Sequence, residues 1–411
     1  MVSNILRNSI CLLPHCAYLS QTSRMIEIYR ALQQRGVTPR VATYGGTFES
    51  ALRAAGIDYD LIGPRMDDER CSRFLREQPS SGPVRQSAYS DAELRAYVTA
   101  EAEYFTRHGI GTVVTGFSLT ATLSSRLAGI RLVTEHSASW APPVFRSRPL
   151  PPAVRLTGAL LSRVRFYCGG FNRVAAELGV PGLPSTAALL QGDLTLVTEA
   201  PEVLGVPAER IEAWRPGRGY RPGTRLRVTG PLFAHLPVPL PDEVERFLDQ
   251  PGPVVYVAIS SSTAGLVRAT VRALRPLGAR VLVAGTVHDL SDLADDRVLV
   301  GGVLPSHLVM PRVDLAVTSG GQGSVQTAMA AGVPLLGLPL QIEQQLNVSL
   351  VRRRGAGRWV RPRDAGGPRL TALAGELLTD GRYRQAAEEI RKVYADIDGP
   401  ANAADAILAG G

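Results

Sequence analysis

The chain has 411 residues, of which 45% are hydrophobic, so it is long enough for two or three domains with buried cores. Its net charge of +8 comes almost wholly from arginine, since Lys392 is the only lysine, and no basic run with interleaved aromatic residues predicts nucleic-acid binding. No apolar stretch approaches the roughly 20 residues of a membrane-spanning helix, and the four cysteines lack the spacing of metal ligands. We therefore expect a cytoplasmic protein without a bound metal, for which a peripheral membrane contact stays open.

The first half of the chain alternates between strand-like and helix-like segments. This alternation predicts a parallel sheet with helices on both of its faces. We predict strands at 9–14, 38–44, 59–62, 112–115, 131–135 and 194–198, and helices at 20–35, 47–55, 92–108 and 119–127. Ser90 or Asp91 is a suitable N-cap for the third of these helices. Residues 64–90 are polar and contain several prolines, so we predict a mobile loop there.

A second alternating series follows a proline-rich hinge. We predict its strands at 254–259, 280–284, 299–303, 315–318 and 333–338, and its helices at 265–277, 325–331, 371–378 and 383–408. Two such series indicate an α/β protein with two facing Rossmann-like domains. Each domain has a parallel sheet, and we expect a ligand cleft between the domains at the carboxyl ends of their strands.

The most informative segment lies between residues 314 and 357. A short apolar strand ends at Thr318, and a turn with three glycines occupies 319–324 ahead of a helix. Glycines let backbone N–H groups approach an anion, and the helix N-terminus adds a partial positive charge, so this turn predicts a diphosphate site. The loop predicted at 339–347 brings Glu343, Gln344 and Asn347 beside the turn, where they could bind a polyol.

This segment resembles the donor-binding motif of GT-B glycosyltransferases, the superfamily of UDP-glycosyltransferases and macrolide-type antibiotic glycosyltransferases. Their pattern is His-Gly-Gly-x-Gly-Thr, a helix of small residues, Gly-x-Pro, an apolar strand to Pro, and Asp-Gln-x-x-Asn. The matching residues are Gly320, Gly321, Gly323, Ser324 for Thr, Gly332, Pro334, Pro339, Glu343 for Asp, Gln344 and Asn347. Ser319 replaces the His, as in MurG-like transferases, and Thr327 stands where many members have a Glu that contacts the ribose.

The resemblance implies an inverting glycosyltransferase that moves a sugar from a UDP- or dTDP-sugar to a small natural-product acceptor. The nucleotide sugar is a substrate, and no cofactor is implied. The implied donor-binding residues are Ser260, Ser261, His307, Ser319, Gly320, Gly321, Gln322, Gly323, Ser324, Glu343 and Gln344. The implied domains are an acceptor-binding domain at 1–225, a hinge at 226–252, a nucleotide-sugar domain at 253–385, and a C-terminal helix at 386–411 that packs back on the first domain.

The residues expected to remove the acceptor proton depart from the family pattern. Gln21 stands where many members have a catalytic His, and Gly116 stands where they have the Asp that assists it. A glutamine does not accept a proton at neutral pH. We predict that His136 or Glu135, at the end of the strand 131–135, is the base instead, with His15 as the next candidate. Gln21 could then bind the acceptor.

Two other functions stay open at this point. A degenerate homologue that binds and activates a partner enzyme would explain the replacements of the family's His and Asp. A UDP-sugar 2-epimerase shares the fold and a Ser-Gly-Gly turn, although its Gln-Glu-Glu and Glu-Arg-Pro-Glu segments are missing here. The sugar, the nucleotide, the glycosylated atom and the choice between monomer and homodimer also stay open. Four arginines leave a phosphorylated acceptor open as well: Arg126, Arg131, Arg146 and Arg148.

Overall fold

The computed structural model describes residues 10–77, 88–136, 138–145, 160, 162–236, 238–259, 262–285 and 288–409. These residues fall into two compact units, the first within Met1–Ala234 and Asp398–Gly411 and the second within His235–Ile397. The units therefore change at 234/235 and 397/398, where the boundaries predicted from the sequence are 225/226, 252/253 and 385/386. The assignment of an acceptor domain and a donor domain stays a prediction.

The first unit contains a seven-stranded sheet in the order β3-β2-β1-β4-β5-β6-β7, and every neighbouring pair in it is parallel. Its strands are β1 (Ile10–Leu12), β2 (Arg40–Thr43), β3 (Asp60–Leu61), β4 (Thr112–Thr115), β5 (Arg131–His136), β6 (Leu194–Val197) and β7 (Arg225–Val228). Because all strands run the same way, their carboxyl ends meet at one edge of the sheet, and this edge carries the residues discussed below.

Helices cover both faces of this sheet. They are α1 (Leu19–Gln34), α2 (Ser50–Ala54), α3 (Asp68–Glu77), α4 (Asp91–Arg107), α5 (Ala121–Leu127), α6 (Pro142–Phe145), α7 (Cys168–Glu177), α8 (Pro201–Leu204) and α9 (Ala208–Glu212). One core contains Leu132 of β5 and residues of α4 and α7, and the other contains Val133 of β5 and residues of α1. Neighbouring residues of β5 thus face opposite cores, as the alternation of a strand requires.

The second unit contains a six-stranded parallel sheet in the order β10-β9-β8-β11-β12-β13. Its strands are β8 (Val254–Ala258), β9 (Arg280–Ala284), β10 (Val298–Gly301), β11 (Leu315–Thr318), β12 (Leu335–Gly337) and β13 (Gly357–Trp359). Its helices are α10 (Asp242–Asp249), α11 (Ala264–Leu274), α12 (Ser306–Val309), α13 (Gln322–Ala330), α14 (Ile342–Arg353), α15 (Pro368–Thr379) and α16 (Gly381–Ala395). The prediction of two parallel-sheet α/β domains is confirmed.

The start of α4 shows why the sequence specifies helix ends so well. The Ser90 hydroxyl accepts a hydrogen bond from the backbone N–H of Glu93, and the Glu93 carboxylate accepts one from the backbone N–H of Ser90. This reciprocal capping box satisfies two N–H groups that would otherwise lack partners at the helix start. It confirms Ser90, rather than Asp91, as the N-cap.

Two predictions from the sequence are wrong. The last helix, predicted at 383–408, is two helices, because α16 ends at Ala395 and α17 (Gly399–Leu408) begins after the N-cap Asp398, with Pro400 in its first turn. Helix α17 packs on α1 within the first unit, where Asp405 accepts hydrogen bonds from the Arg35 guanidinium. The loop predicted at 64–90 contains the helix α3, and 78–87 lie outside the described residues.

Candidate functional site

The glycine-rich turn of the second unit joins β11 to α13. Gly320 has φ +90°, and a Cβ there would lie 2.5 Å from Cγ2 of Val348 and 2.8 Å from the carbonyl oxygen of Gln344. Both the backbone conformation and the close approach of α14 therefore require glycine. The turn runs directly into α13, whose first N–H groups have no partner within the helix. This arrangement suits an anion such as a diphosphate.

Helix α14 holds the turn in place. The side-chain amide of Asn347 donates to the carbonyl oxygen of Gly320 at 3.1 Å and to Oε1 of Glu343 at 3.0 Å. The backbone N–H of Gly320 donates to the Thr318 hydroxyl at 3.2 Å. The turn is thus fixed from both sides, so a ligand bound there would meet preorganised N–H groups.

The predicted loop at 339–347 is wrong in part, because Glu343 and Gln344 lie on the first turn of α14. Gln344 is buried, and its side-chain oxygen accepts a hydrogen bond from the backbone N–H of Leu340 at 2.8 Å. This contact gives Gln344 a role in the fold itself. The half-buried Glu343 carboxylate, which accepts from Asn347, lies closer to solvent than Gln344.

The remaining predicted donor residues divide into three groups. Gln322, Gly323 and Ser324 are the first three residues of α13 and do not belong to the turn, which is limited to Ser319, Gly320 and the N-cap Gly321. His307 lies on α12, which contacts α13, with its ring 5.2 Å from that of His235. Ser260 and Ser261 lie outside the described residues.

Thr327, where the resemblance places a Glu, is bonded to its own helix. Its hydroxyl donates to the carbonyl oxygen of Gly323 at 2.8 Å, one turn back along α13. A hydroxyl used in this way is bound to its own helix.

In the first unit, the candidate bases lie at the carboxyl edge of the sheet but on different faces. Glu135 pairs in register with Leu196, which belongs to the core on the α1 face, and His136 pairs with Val197. The two neighbouring side chains therefore point away from each other. Glu135 and His136 therefore stay separate candidates for the base, as predicted from the sequence.

Glu135 is fully buried and forms an ion pair with Arg24 of α1, whose side chain is also buried. Gln21 lies one turn before Arg24 on the same helix. A Cβ at Gly116 would lie 1.6 Å from Oε1 of Gln21 and 2.8 Å from Oε2 of Glu135. The missing side chain of Gly116 therefore leaves the space in which Gln21 and Glu135 meet. Sequence reasoning missed Arg24, although its spacing from Gln21 places both on one helix face.

His136 lines a small cavity of about 20 Å³, together with Trp140, Leu190 and Val197. Its ring centroid is 5.7 Å from that of Phe117, which follows β4. Burial, helped by the positive charge of Arg24, lowers the pKa of His136 to about 3. The imidazole is therefore neutral at physiological pH, and its affinity for a proton is low.

His15, after β1, is stacked on Phe74 with ring centroids 4.5 Å apart and lies 5.6 Å from the ring of Tyr18. Burial lowers the pKa of His15 to about 3, and the charge of Arg70 acts in the same direction. His15 is therefore also neutral, and aromatic rings surround it.

Two of the arginines considered for a phosphorylated acceptor are committed to the fold. Arg126 donates to both carboxylate oxygens of Asp193, and Arg131 donates to the carbonyl oxygen of Ile407 in α17. Arg146 and Arg148 lie outside the described residues. The structure thus gives no support to an anionic acceptor at Arg126 or Arg131.

Two features are absent from the described ranges. No helix in the described part of the chain is both long enough and apolar enough to cross a membrane. No three His, Cys, Asp or Glu side chains of the described residues come together as metal ligands would.

Similar proteins of known function also indicate a glycosyltransferase. Residues 270–409 match the family model described as erythromycin biosynthesis protein CIII-like, C-terminal domain. The chain is 27% identical over 321 residues to a PGL/p-HBAD biosynthesis glycosyltransferase of Mycobacterium tuberculosis (strain ATCC 25177 / H37Ra), covering 74% of this chain and 72% of that protein. It is 31% identical over 162 residues to the demethyllactenocin mycarosyltransferase of Streptomyces fradiae, covering 38% and 35%.

Among solved structures, the glycosyltransferase VinC in complex with dTDP is similar with a TM-score of 0.68 and 16% identity, over 97% of this chain and 98% of that one. At this identity the likeness concerns the fold alone. The chain is thus a glycosyltransferase with the GT-B fold, and its residues 270–409 are similar to the erythromycin biosynthesis protein CIII-like C-terminal domain.

Proposed function

We propose that the chain is an inverting glycosyltransferase that moves a sugar from a UDP- or dTDP-sugar to a small natural-product acceptor. The observation that carries this proposal is the turn at Gly320, which is fixed by Asn347 and opens onto the N-terminus of α13. Such a turn suits a diphosphate because the first N–H groups of α13 have no partner within the helix and the helix N-terminus carries a partial positive charge. The half-buried Glu343 is the proposed contact to sugar hydroxyls.

The names of the relatives support the acceptor class. A demethyllactenocin mycarosyltransferase and a 4'-demethylrebeccamycin synthase both match the chain at 31% identity over parts of their length. The ligand in the name of a similar structure, dTDP, supports a nucleotide diphosphate at the glycine turn. The choice between UDP and dTDP, and the sugar itself, are left to experiment.

In an inverting transfer, an acceptor oxygen attacks the anomeric carbon while the bond to the diphosphate breaks, and a base takes the acceptor proton. His136 is the candidate best supported, because its ring lines the cavity beside Trp140. Glu135 is fully buried and paired with Arg24, and His15 is stacked on Phe74, so both side chains are engaged within the fold. His136 is the proposed proton acceptor, and Glu135 is proposed to act by positioning.

The test is binding of UDP and dTDP by calorimetry and hydrolysis of a panel of their sugars, for the wild type, Ser319→Ala and His136→Ala. We expect micromolar binding of one nucleotide, a loss of roughly tenfold in Ser319→Ala, and no loss in the control Ser291→Ala, which alters an exposed serine of the same unit. His136→Ala should keep nucleotide binding and lose turnover. Binding without turnover on any acceptor would favour the non-catalytic partner, and no nucleotide binding would refute the donor site.

A further inference from the structure

The side-chain amide of Asn347 links the glycine turn to the residue proposed to contact the sugar. Its nitrogen Nδ2 lies 3.1 Å from the carbonyl oxygen of Gly320 and 3.0 Å from Oε1 of Glu343. An amide nitrogen carries two hydrogens, and both neighbours are acceptors, so one hydrogen is donated to each of them. This fixes the orientation of the amide, because the rotated form would set its oxygen against the same two acceptors.

Burial makes these two hydrogen bonds strong. Asn347 is only 6% exposed, so water can scarcely compete for them. The bond to Glu343 is also charge-assisted, because its acceptor is a carboxylate. Glu343 lies four residues earlier on α14, which places the two side chains next to each other on one helix face. Asn347 therefore holds the half-buried carboxylate in one orientation.

Helix α14 packs directly on the backbone of the turn. A Cβ at Gly320 would lie 2.5 Å from Cγ2 of Val348, and a Cβ at Gly337, the last residue of β12, would lie 2.6 Å from the same atom. The carbonyl oxygen of Gln344 is 2.8 Å from the Cβ position of Gly320. Because both glycines lack a side chain, α14 comes close enough for the amide of Asn347 to reach the Gly320 carbonyl.

We propose that Asn347 is a positioning residue that couples binding of the diphosphate to recognition of the sugar. This inference rests on the proposed function, in which the turn binds the diphosphate and Glu343 contacts sugar hydroxyls. In a nucleotide sugar these two groups are joined covalently, so the turn and the carboxylate must have the right spacing for both to bind at once. A single amide that donates to both of them fixes that spacing.

Truncation of Asn347 should weaken two quantities that can be measured separately. The first is the affinity for the nucleoside diphosphate alone, which reports on the turn. The second is the sugar ratio, which we define as the Kd of the nucleoside diphosphate divided by the Kd of its nucleotide sugar, and which reports on Glu343. We expect Asn347→Ala to lower the affinity for UDP or dTDP about tenfold and the sugar ratio about fivefold. A residue that served only the fold of the turn would change the first quantity alone.

Calorimetry with UDP or dTDP, and with a panel of their sugars, measures both quantities. Glu343→Ala should lower the sugar ratio. In this background Asn347→Ala should again weaken diphosphate binding about tenfold but lower the sugar ratio no further, because the carboxylate that Asn347 positions is gone. The control Gln345→Ala truncates an amide that lies about 200° round α14 from both residues, and it should change neither quantity.

Three results would overturn the inference. They are a diphosphate affinity of Asn347→Ala within twofold of the wild type, an unchanged sugar ratio in this variant, and an equal fall of the sugar ratio with and without the Glu343 carboxylate. Circular dichroism checks folding. If Asn347→Ala does not fold, Asn347→Ser carries the same expectations, because its side chain is polar but too short to reach both acceptors. A wild type that binds neither UDP nor dTDP would instead overturn the proposed function itself.

Discussion

Glu101 is a carboxyl group at the centre of α4 that is fully buried. Its two oxygens are hydrogen-bonded to the hydroxyls of Thr120 and Ser124. Burial raises the pKa of Glu101 to about 8, against 4.5 for an exposed group, and the two hydroxyls only partly oppose this. The folded chain therefore keeps Glu101 protonated at pH 7, while the unfolded chain ionises it.

The sign of the pH dependence follows directly. Between pH 4.5 and 8 the folded state binds more protons than the unfolded state, so the stability contributed by this group falls as the pH rises. Each pH unit well inside this window costs about 1.4 kcal/mol, so the loss between pH 5 and pH 8 is roughly 3 kcal/mol. Glu101→Gln keeps one donor and one acceptor for the two hydroxyls but has no proton to lose, so it should remove this slope.

Urea unfolding at pH 5, 6, 7 and 8 measures the effect. A Trp359→Phe background leaves Trp140 and Trp214, both in the first unit, as fluorescence probes of that unit alone. The stability of Glu101→Gln relative to the wild type should rise by roughly 3 kcal/mol over this range. The control Glu103→Gln removes an exposed carboxylate from the same helix and should give a flat difference. Parallel curves for Glu101→Gln and the wild type would refute a protonated Glu101.

Two glycine substitutions test how closely neighbouring side chains approach the backbone at Gly116 and Gly320. Gly116→Ala puts a methyl group where the Gln21 amide lies, and we expect it to lower the free energy of unfolding by about 1–3 kcal/mol. In the double variant, Gln21→Ala should restore most of this stability. Additive losses would contradict the contact. Gly320→Ala combines φ +90° with a contact to Val348, and we expect it to weaken nucleotide binding at least tenfold in calorimetry. The control Gly302→Ala meets nothing within 4 Å, so equal effects of the two changes would rule out a special role for Gly320.

Local signals explain which elements the sequence could predict. The capping box at Ser90 and Glu93 involves residues three apart, so the helix start was readable from the chain itself. The three-residue break before α17 also carries local signals, the N-cap Asp398 followed by Pro400, but the apolar pattern on both sides hid it. Helix propensity did not predict the start of α13 at Gln322, because Gly323, a poor helix former, lies inside the helix. The close packing of the turn on α14 outweighs the unfavourable helix propensity of this glycine.

The candidate bases were harder to predict because their partners come from distant parts of the chain. Glu135 meets Arg24 and Gln21 across more than 100 residues of sequence, and only the packing of α1 on the sheet brings them together. The opposite orientation of His136, in contrast, follows from strand alternation and was available from the sequence. The donor turn was predictable because its residues are contiguous and its chemistry depends on the backbone.

Gly116 stands where the family pattern has an Asp, so the sequence shows a lost carboxylate. In the fold, the missing side chain leaves room for the carboxylate of Glu135. Neighbouring strands lie about 4.8 Å apart, so a carboxylate on β5 can reach nearly the same place as one at the end of β4, provided that no side chain stands between them. Glu135 does this, and it meets Gln21 on α1 in the space above Gly116. A carboxylate beside this residue of α1 is therefore retained, and what the chain has given up is proton affinity at Gln21.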